Sequence, residues 1–269
     1  MRIILLAAIT TTILFSCKTE KTEVSAAVIQ ETEKAEVPVI DDPSKKDHQI
    51  REISKTETAP TIDGNPDDAS WKNASWYPLD QKWIGEDYTP EDFSGRFKLT
   101  WTPEALYLLV EVTDDVLYDQ NPDPLKSWWD DDCVEIFIDE DNSGGLHQFS
   151  HNAFAYHVAL DTKNVVDMSP VTKGGALYND HVITKKITTG NTTIWEHKIL
   201  VYDDSYTDGQ TNTPVTLTAN KKIGFSLAYC DNDTSKEREN FIGSAFVPGE
   251  NKNKGYIDAS TFGTIVLKE

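Results

Sequence analysis

Basic residues are scarce in this chain of 269 residues. Lysine and arginine number 25 against 45 aspartates and glutamates, a formal net charge of −20. That balance argues against nucleic acid and anionic lipid surfaces as partners, since both are bound through positive charge. It suits solubility, and it leaves divalent cations as candidate ligands. Cysteine is nearly absent, with only Cys17, Cys133 and Cys230. There is no CxxC pair and no Cys/His spacing of the kind that holds zinc. Beyond Met1 the only methionine is Met168. No GxSxG, HExxH or phosphate-cradling glycine loop occurs, which removes the motif-borne hydrolase, metalloprotease and nucleotide chemistries. The apolar run at the N-terminus, Ile3 to Phe15, is shorter than the about 20 residues that a membrane-spanning helix needs.

That run follows Met1-Arg2 and reads as the core of a secretory signal. It ends in Leu14-Phe15-Ser16-Cys17, which resembles the bacterial lipoprotein cleavage box. The resemblance implies a signal peptide over residues 1–16, cleavage before Cys17 and a lipid on Cys17. Lys18, where aspartate would favour inner-membrane retention, points to a lipid-anchored protein of the bacterial cell envelope at the outer membrane. From residue 17 to 58 the chain is rich in Lys, Glu and Thr, lacks aromatic residues and shows no sustained period. Such a segment cannot bury enough apolar surface to offset its ordering entropy. It reads as a disordered tether with a span on the order of 35 Å.

Residues 59–269 hold all seven tryptophans and show a period of two almost everywhere. Phe97, Leu99 and Trp101 alternate with polar residues. Leu106, Leu108, Val110 and Val112 share one face. Val134, Ile136 and Ile138 share another, with Cys133, Glu135 and Phe137 opposite. Short alternating strands separated by Gly, Pro and Asn turns predict a single all-β domain, an antiparallel β-sandwich of jelly-roll type. Trp71 is expected to anchor a short helical turn. Cys133 and Cys230 both fall in strands, and either a disulfide or two buried thiols fits them.

Several segments taken in order, "APTIDGNPDDASWKNA", "FKLTWTPEALYLLVEVTDDVL", "WWDDDCVEIFIDEDNSGG", "WEHKILV", "IGFSLAYCDND" and "FGTIVL", resemble the family-9 carbohydrate-binding modules. The resemblance implies non-catalytic binding of an oligo- or polysaccharide. A sugar ring presents an apolar C–H face and a fringe of hydroxyls, so aromatic plates and polar side chains recognise it together. The positions matching the family's two stacking residues are Trp129 and Tyr256. Those matching its polar contacts are Glu135, Gln148, Asn152 and Asn253, with Gln148 and Asn152 expected on the strand after Glu135. The family's sugar-binding arginine is Ser150 here, a departure from the pattern at a position that bears on which sugar is bound. The resemblance also implies structural calcium. Asp139, Asp141 and Ser143 offer alternating oxygen ligands in a glycine-rich loop, and Asp63/Asp67/Asp68 and Asp114/Asp115 form further acidic clusters. An envelope glycan-processing enzyme or transporter is the expected partner.

Other classes remain in view. A surface scaffold for another protein would also display tryptophans. A glycoside hydrolase would need two carboxylates about 5–10 Å apart, for which Asp130, Asp131 and Asp132 beside Trp129 are candidates. A haem-binding domain would pair Met168 with one of His147, His151, His157, His181 or His197.

Overall fold

The computed structural model describes residues 49–269. The signal peptide, Cys17 and most of the proposed tether lie outside the described residues. Fourteen strands make up the described fold. They are β1 (Arg51–Ser54), β2 (Tyr77–Leu79), β3 (Gln81–Ile84), β4 (Phe93–Thr102), β5 (Ala105–Asp114), β6 (Cys133–Asp139), β7 (Phe154–Ala159), β8 (Val165–Met168), β9 (Gly175–Leu177), β10 (Val182–Thr189), β11 (Thr192–Ile199), β12 (Lys222–Asp231), β13 (Asn240–Gly243) and β14 (Gly263–Lys268). A nine-stranded sheet runs β1-β14-β12-β6-β7-β8-β9, with β13 bridging β12 to β3. A five-stranded sheet runs β10-β11-β5-β4-β2.

The alternation in the sequence sets the faces. Val134, Ile136 and Ile138 of β6 meet Phe97, Leu99, Trp101, Leu106, Leu108, Val110 and Val112 of β4 and β5 in one core between the sheets. The opposite face of β6 is also covered. Cys133 and Phe137 join Trp83, Ala228, Cys230, Phe241 and Phe262 in a second apolar cluster. β6 is therefore buried on both sides. Trp71 sits in the short helix α1 (Ala69–Lys72), where its indole N–H donates to Glu196 Oε1 at 2.7 Å and its ring packs on Tyr107 and Leu109.

The structure corrects one expected boundary. The tether does not run to residue 58, because β1 pairs in parallel with β14, matching Arg51 to Ile265 and Ile53 to Leu267. Ile53 enters the main core, and Arg51 Nη2 donates to Ser244 O at 2.6 Å. This pairing also makes the larger sheet mixed, whereas every other pairing between the named strands is antiparallel. Cys133 and Cys230 are register partners on β6 and β12, and both are free and buried.

Candidate functional site

The outward side of the nine-stranded sheet carries a cleft of ≈370 Å³. It is lined by Trp128, Trp129, Glu135, Gln148, His157, Asp167, Met168, Arg238, Asn253 and Tyr256. The strands supply the floor: Glu135 from β6, His157 from β7, Asp167 and Met168 from β8. Loops supply the walls.

The tryptophan wall stands on a loop fixed by its aspartates. Asp132 Oδ2 accepts the Tyr118 N–H at 2.6 Å, and its Oδ1 accepts that of Asn232 at 2.8 Å. Asp131 Oδ1 accepts the Gln120 N–H at 2.8 Å and the Asn121 side-chain N–H at 2.9 Å. The carboxyl groups beside the rings thus tie the loop down by accepting N–H groups. The two rings meet edge to face at 4.9 Å. Trp128 lies against Gly175, where a Cβ would stand 2.6 Å from its ring. Trp129 projects outward, 41 % exposed.

The opposite wall is the segment between β13 and β14. His147 ties it down, its N–H donating to Ile257 O at 2.8 Å and its Nε2 meeting Gly255 O at 2.7 Å. Gly255 passes so close to Phe137 that a Cβ would come within 2.9 Å of its ring. Tyr256 follows and is 37 % exposed.

Glu135 is the charged centre of the floor, and its side chain is 2 % exposed. Its Oε1 collects three contacts: His157 Nε2 at 2.7 Å, Arg238 Nη1 at 3.2 Å and the Cys230 thiol at 3.1 Å. Burial works to raise its pKa, but His157 and Arg238 overcome this and leave it below the ordinary carboxylate value. All three contacts fall on Oε1. Burial pushes Asp167 up to about 7, although Ala155 N–H and Met168 N–H both donate to its carboxylate. With both oxygens engaged by backbone amides, Asp167 braces the floor.

Five expected residues therefore meet in one cleft: Trp129, Glu135, Gln148, Asn253 and Tyr256. Asn152 does not line it. Its side-chain amide donates to Gly144 O at 2.8 Å and pins the glycine turn. Gln148, Ser150 and Asn152 also precede β7 in a turn, so strand alternation does not govern them. Arg238, in the β12–β13 loop, brings a guanidinium to the cleft. His157 entered the sequence reading only as a haem-ligand candidate, although β6–β7 pairing sets it opposite Glu135, and no sequence signal marked Arg238 or Asp167.

The calcium candidates separate on their own partners. In the loop after β6, Asp139 Oδ2 accepts the Gly144 N–H at 2.7 Å and Asp141 Oδ1 that of Ser143 at 3.0 Å, so the loop's own amides use these oxygens. Asp114, Asp132 and Asp231 instead form a buried group with carboxylate oxygens within 4.8 Å of one another. Asp114 and Asp132 have donors, whereas the Asp231 carboxylate, in a residue 5 % exposed, receives none among the described residues. Burial pushes Asp132 up to about 9, Asp231 to about 8 and Asp114 to about 6; repulsion from Asp114 adds to the first two, and repulsion from Asp115 and Asp92 to Asp114. Three carboxylates brought together as hard oxygen donors fit calcium.

Comparison with known proteins agrees with this architecture. Residues 62–269 match the family model described as "Carbohydrate family 9 binding domain-like". Endo-1,4-beta-xylanase A of Thermotoga neapolitana is 35 % identical over 83 residues, which are 31 % of this chain and 7 % of the xylanase. The corresponding xylanase of Thermotoga maritima is 32 % identical over 83 residues, again 7 % of its length. The chain thus matches only a small part of either enzyme. A family 9 carbohydrate-binding module from Caldicellulosiruptor kristjanssonii, solved with cellotriose, shares the fold at a TM-score of 0.60 and 23 % identity, covering 82 % of this chain and 94 % of the module. The same module solved with glucose gives a TM-score of 0.60, with 81 % and 96 % covered. With the family model spanning the described sandwich from α1 to β14, the chain belongs to the carbohydrate family 9 binding domain-like family.

Proposed function

We propose that this chain binds carbohydrate without catalysis, holding a sugar ring against Trp129 and Tyr256. The observation that carries the reading is the meeting, in one cleft, of two exposed aromatic rings with Glu135, Gln148, Asn253 and Arg238. The rings take the C–H face of the sugar. The amides and Glu135 Oε2 meet its hydroxyls, and Arg238 supplies the guanidinium that Ser150 does not. Glucose and cellotriose, bound by the structural relatives, are the first ligands to try. With one ring clamped and few hydrogen bonds, affinity is expected at about micromolar or weaker, since ordering and desolvation offset much of the contact energy.

Calorimetric titration with mono- and oligosaccharides, Trp129→Ala beside the parent chain, tests this. Binding lost in the variant supports the clamp. Silence across a broad glycan panel from a folded protein would sink the reading in favour of a protein scaffold.

We further propose calcium at Asp114, Asp132 and Asp231, in preference to Asp139, Asp141 and Ser143. An unchanged melting temperature after chelation would exclude it. The lipoprotein-like box supports a lipid on Cys17 and a place at the outer membrane, with an envelope glycan-processing enzyme or transporter as partner. Loss of membrane association in Cys17→Ala would bear on that anchor.

A further inference from the structure

Two thiols lie against the floor of the cleft. Cys133 and Cys230 are register partners on β6 and β12. Such partners hold their Cα atoms about 4.5–5.5 Å apart, inside the roughly 4.4–6.8 Å that a disulfide spans. The Cα spacing of such a pair is therefore compatible with a bond between them. Their sulfur atoms and a Glu135 carboxylate oxygen lie within 4.8 Å of one another. The Cys230 thiol sits 3.1 Å from Glu135 Oε1 and donates to it. Cys133, 2 % exposed, lines a second, smaller cleft of ≈110 Å³, which shares Trp128 and His157 with the first.

A metal ion is the competing occupant of the Cys133, Glu135 and Cys230 group. Arg238 argues against it. Its Nη1 stands 3.1 Å from Cys230 Sγ and 3.2 Å from Glu135 Oε1, so a positive charge already occupies the space between these donors.

We propose that Cys133 and Cys230 are a modification site: they form a cross-strand disulfide by exchange with a small organic disulfide, and the cleft reads the change through Glu135. The Cys133 thiolate attacks one sulfur of the small disulfide and releases one thiol. The Cys230 thiolate then attacks Cys133 Sγ in the mixed disulfide and releases the second. The two protein thiols are oxidised, the small disulfide is reduced to two thiols, and these carry away both protons. Cys230 thereby loses the hydrogen that it donates to Glu135, leaving His157 and Arg238 to hold that carboxylate alone. The effect on sugar affinity rests on the carbohydrate reading, whereas formation of the bond does not.

The full chain is incubated with oxidised glutathione for hours to days, then analysed by intact mass, by alkylation in denaturant and by peptide mapping. The expected result is loss of the mass of two hydrogen atoms, a Cys133–Cys230 peptide and reversal by dithiothreitol. The His157 imidazole NMR signals, read without sugar, should move with the same step and stay unmoved by oxidant in Cys133→Ser. Glycan affinity should change by about threefold to tenfold, the worth of one hydrogen bond. Full alkylation of both thiols after prolonged exposure, or a bond made through Cys17, overturns the site. A disulfide that leaves the His157 signals unmoved overturns the coupling. A bond that forms, moves those signals and accompanies no sugar binding in either state supports this inference and counts against the carbohydrate reading.

Discussion

Glu135 and Arg238 show how one residue's work depends on another far along the chain. Glu135 is buried, and it is ionised below its ordinary pKa because of His157 and Arg238. Stabilisation from such a group is present above the unfolded value of about 4.3 and is lost as pH falls through the lower folded value. Arg238→Met removes one support and leaves a buried carboxylate with His157 and a thiol. The expected cost is about 3 kcal/mol, the lower end for breaking a buried pair, with acid unfolding displaced to higher pH. Urea unfolding at two pH values checks both. Trp129→Ala should behave oppositely. Its ring is 41 % exposed, so stability should hold while glycan affinity falls by about thirtyfold or more, as for an aromatic anchor. Glu135 was legible in the sequence because alternation along β6 set it opposite Val134, Ile136 and Ile138. Arg238 was not. It reaches Glu135 across 103 positions through a loop with no period to read.

At the scale of elements, alternation located the central strands and turn residues located their ends. It failed for β1, a four-residue strand in a Lys-, Glu- and Thr-rich stretch too short to show a pattern. Its place is decided by β14, about two hundred residues away, which offers it a parallel edge. A chain starting at residue 59 loses Ile53 from the core and the Arg51 bond to Ser244. Burial of one Ile is worth about 1.5–3 kcal/mol and the bond about 1 more, so a loss of roughly 3 kcal/mol is expected. Denaturant unfolding of chains starting at 49 and at 59 would reveal it, and equal midpoints would show β1 to be dispensable. Gly255 gives a test on the other wall. Gly255→Ala puts a methyl against the Phe137 ring, so the Tyr256 segment should lift and glycan affinity should fall while the distant five-stranded sheet keeps its hydrogen-exchange protection.

For the whole molecule, charge decides the argument. A net charge of −20 favours solubility at the cost of self-repulsion, and Asp114, Asp132 and Asp231 concentrate that cost in a buried group. Without a cation their folded pKa values of about 6, 9 and 8 exceed the unfolded value of about 3.9. The folded state then holds more protons than the unfolded chain. Their contribution is fully present below about pH 3.9 and is lost as pH rises through about 6 to 9. In chelator, these groups should lower stability steadily from pH 5 to 9. Bound calcium would compensate the ionised carboxylates and stabilise by mass action, so the melting-temperature gap between calcium and chelator should widen as pH rises. Asp231→Asn keeps the shape and removes one charge. It should raise the melting temperature in chelator at pH 8 and erase most of the calcium response. A gap that stays constant with pH, or a response that survives in Asp231→Asn, would move calcium away from this cluster.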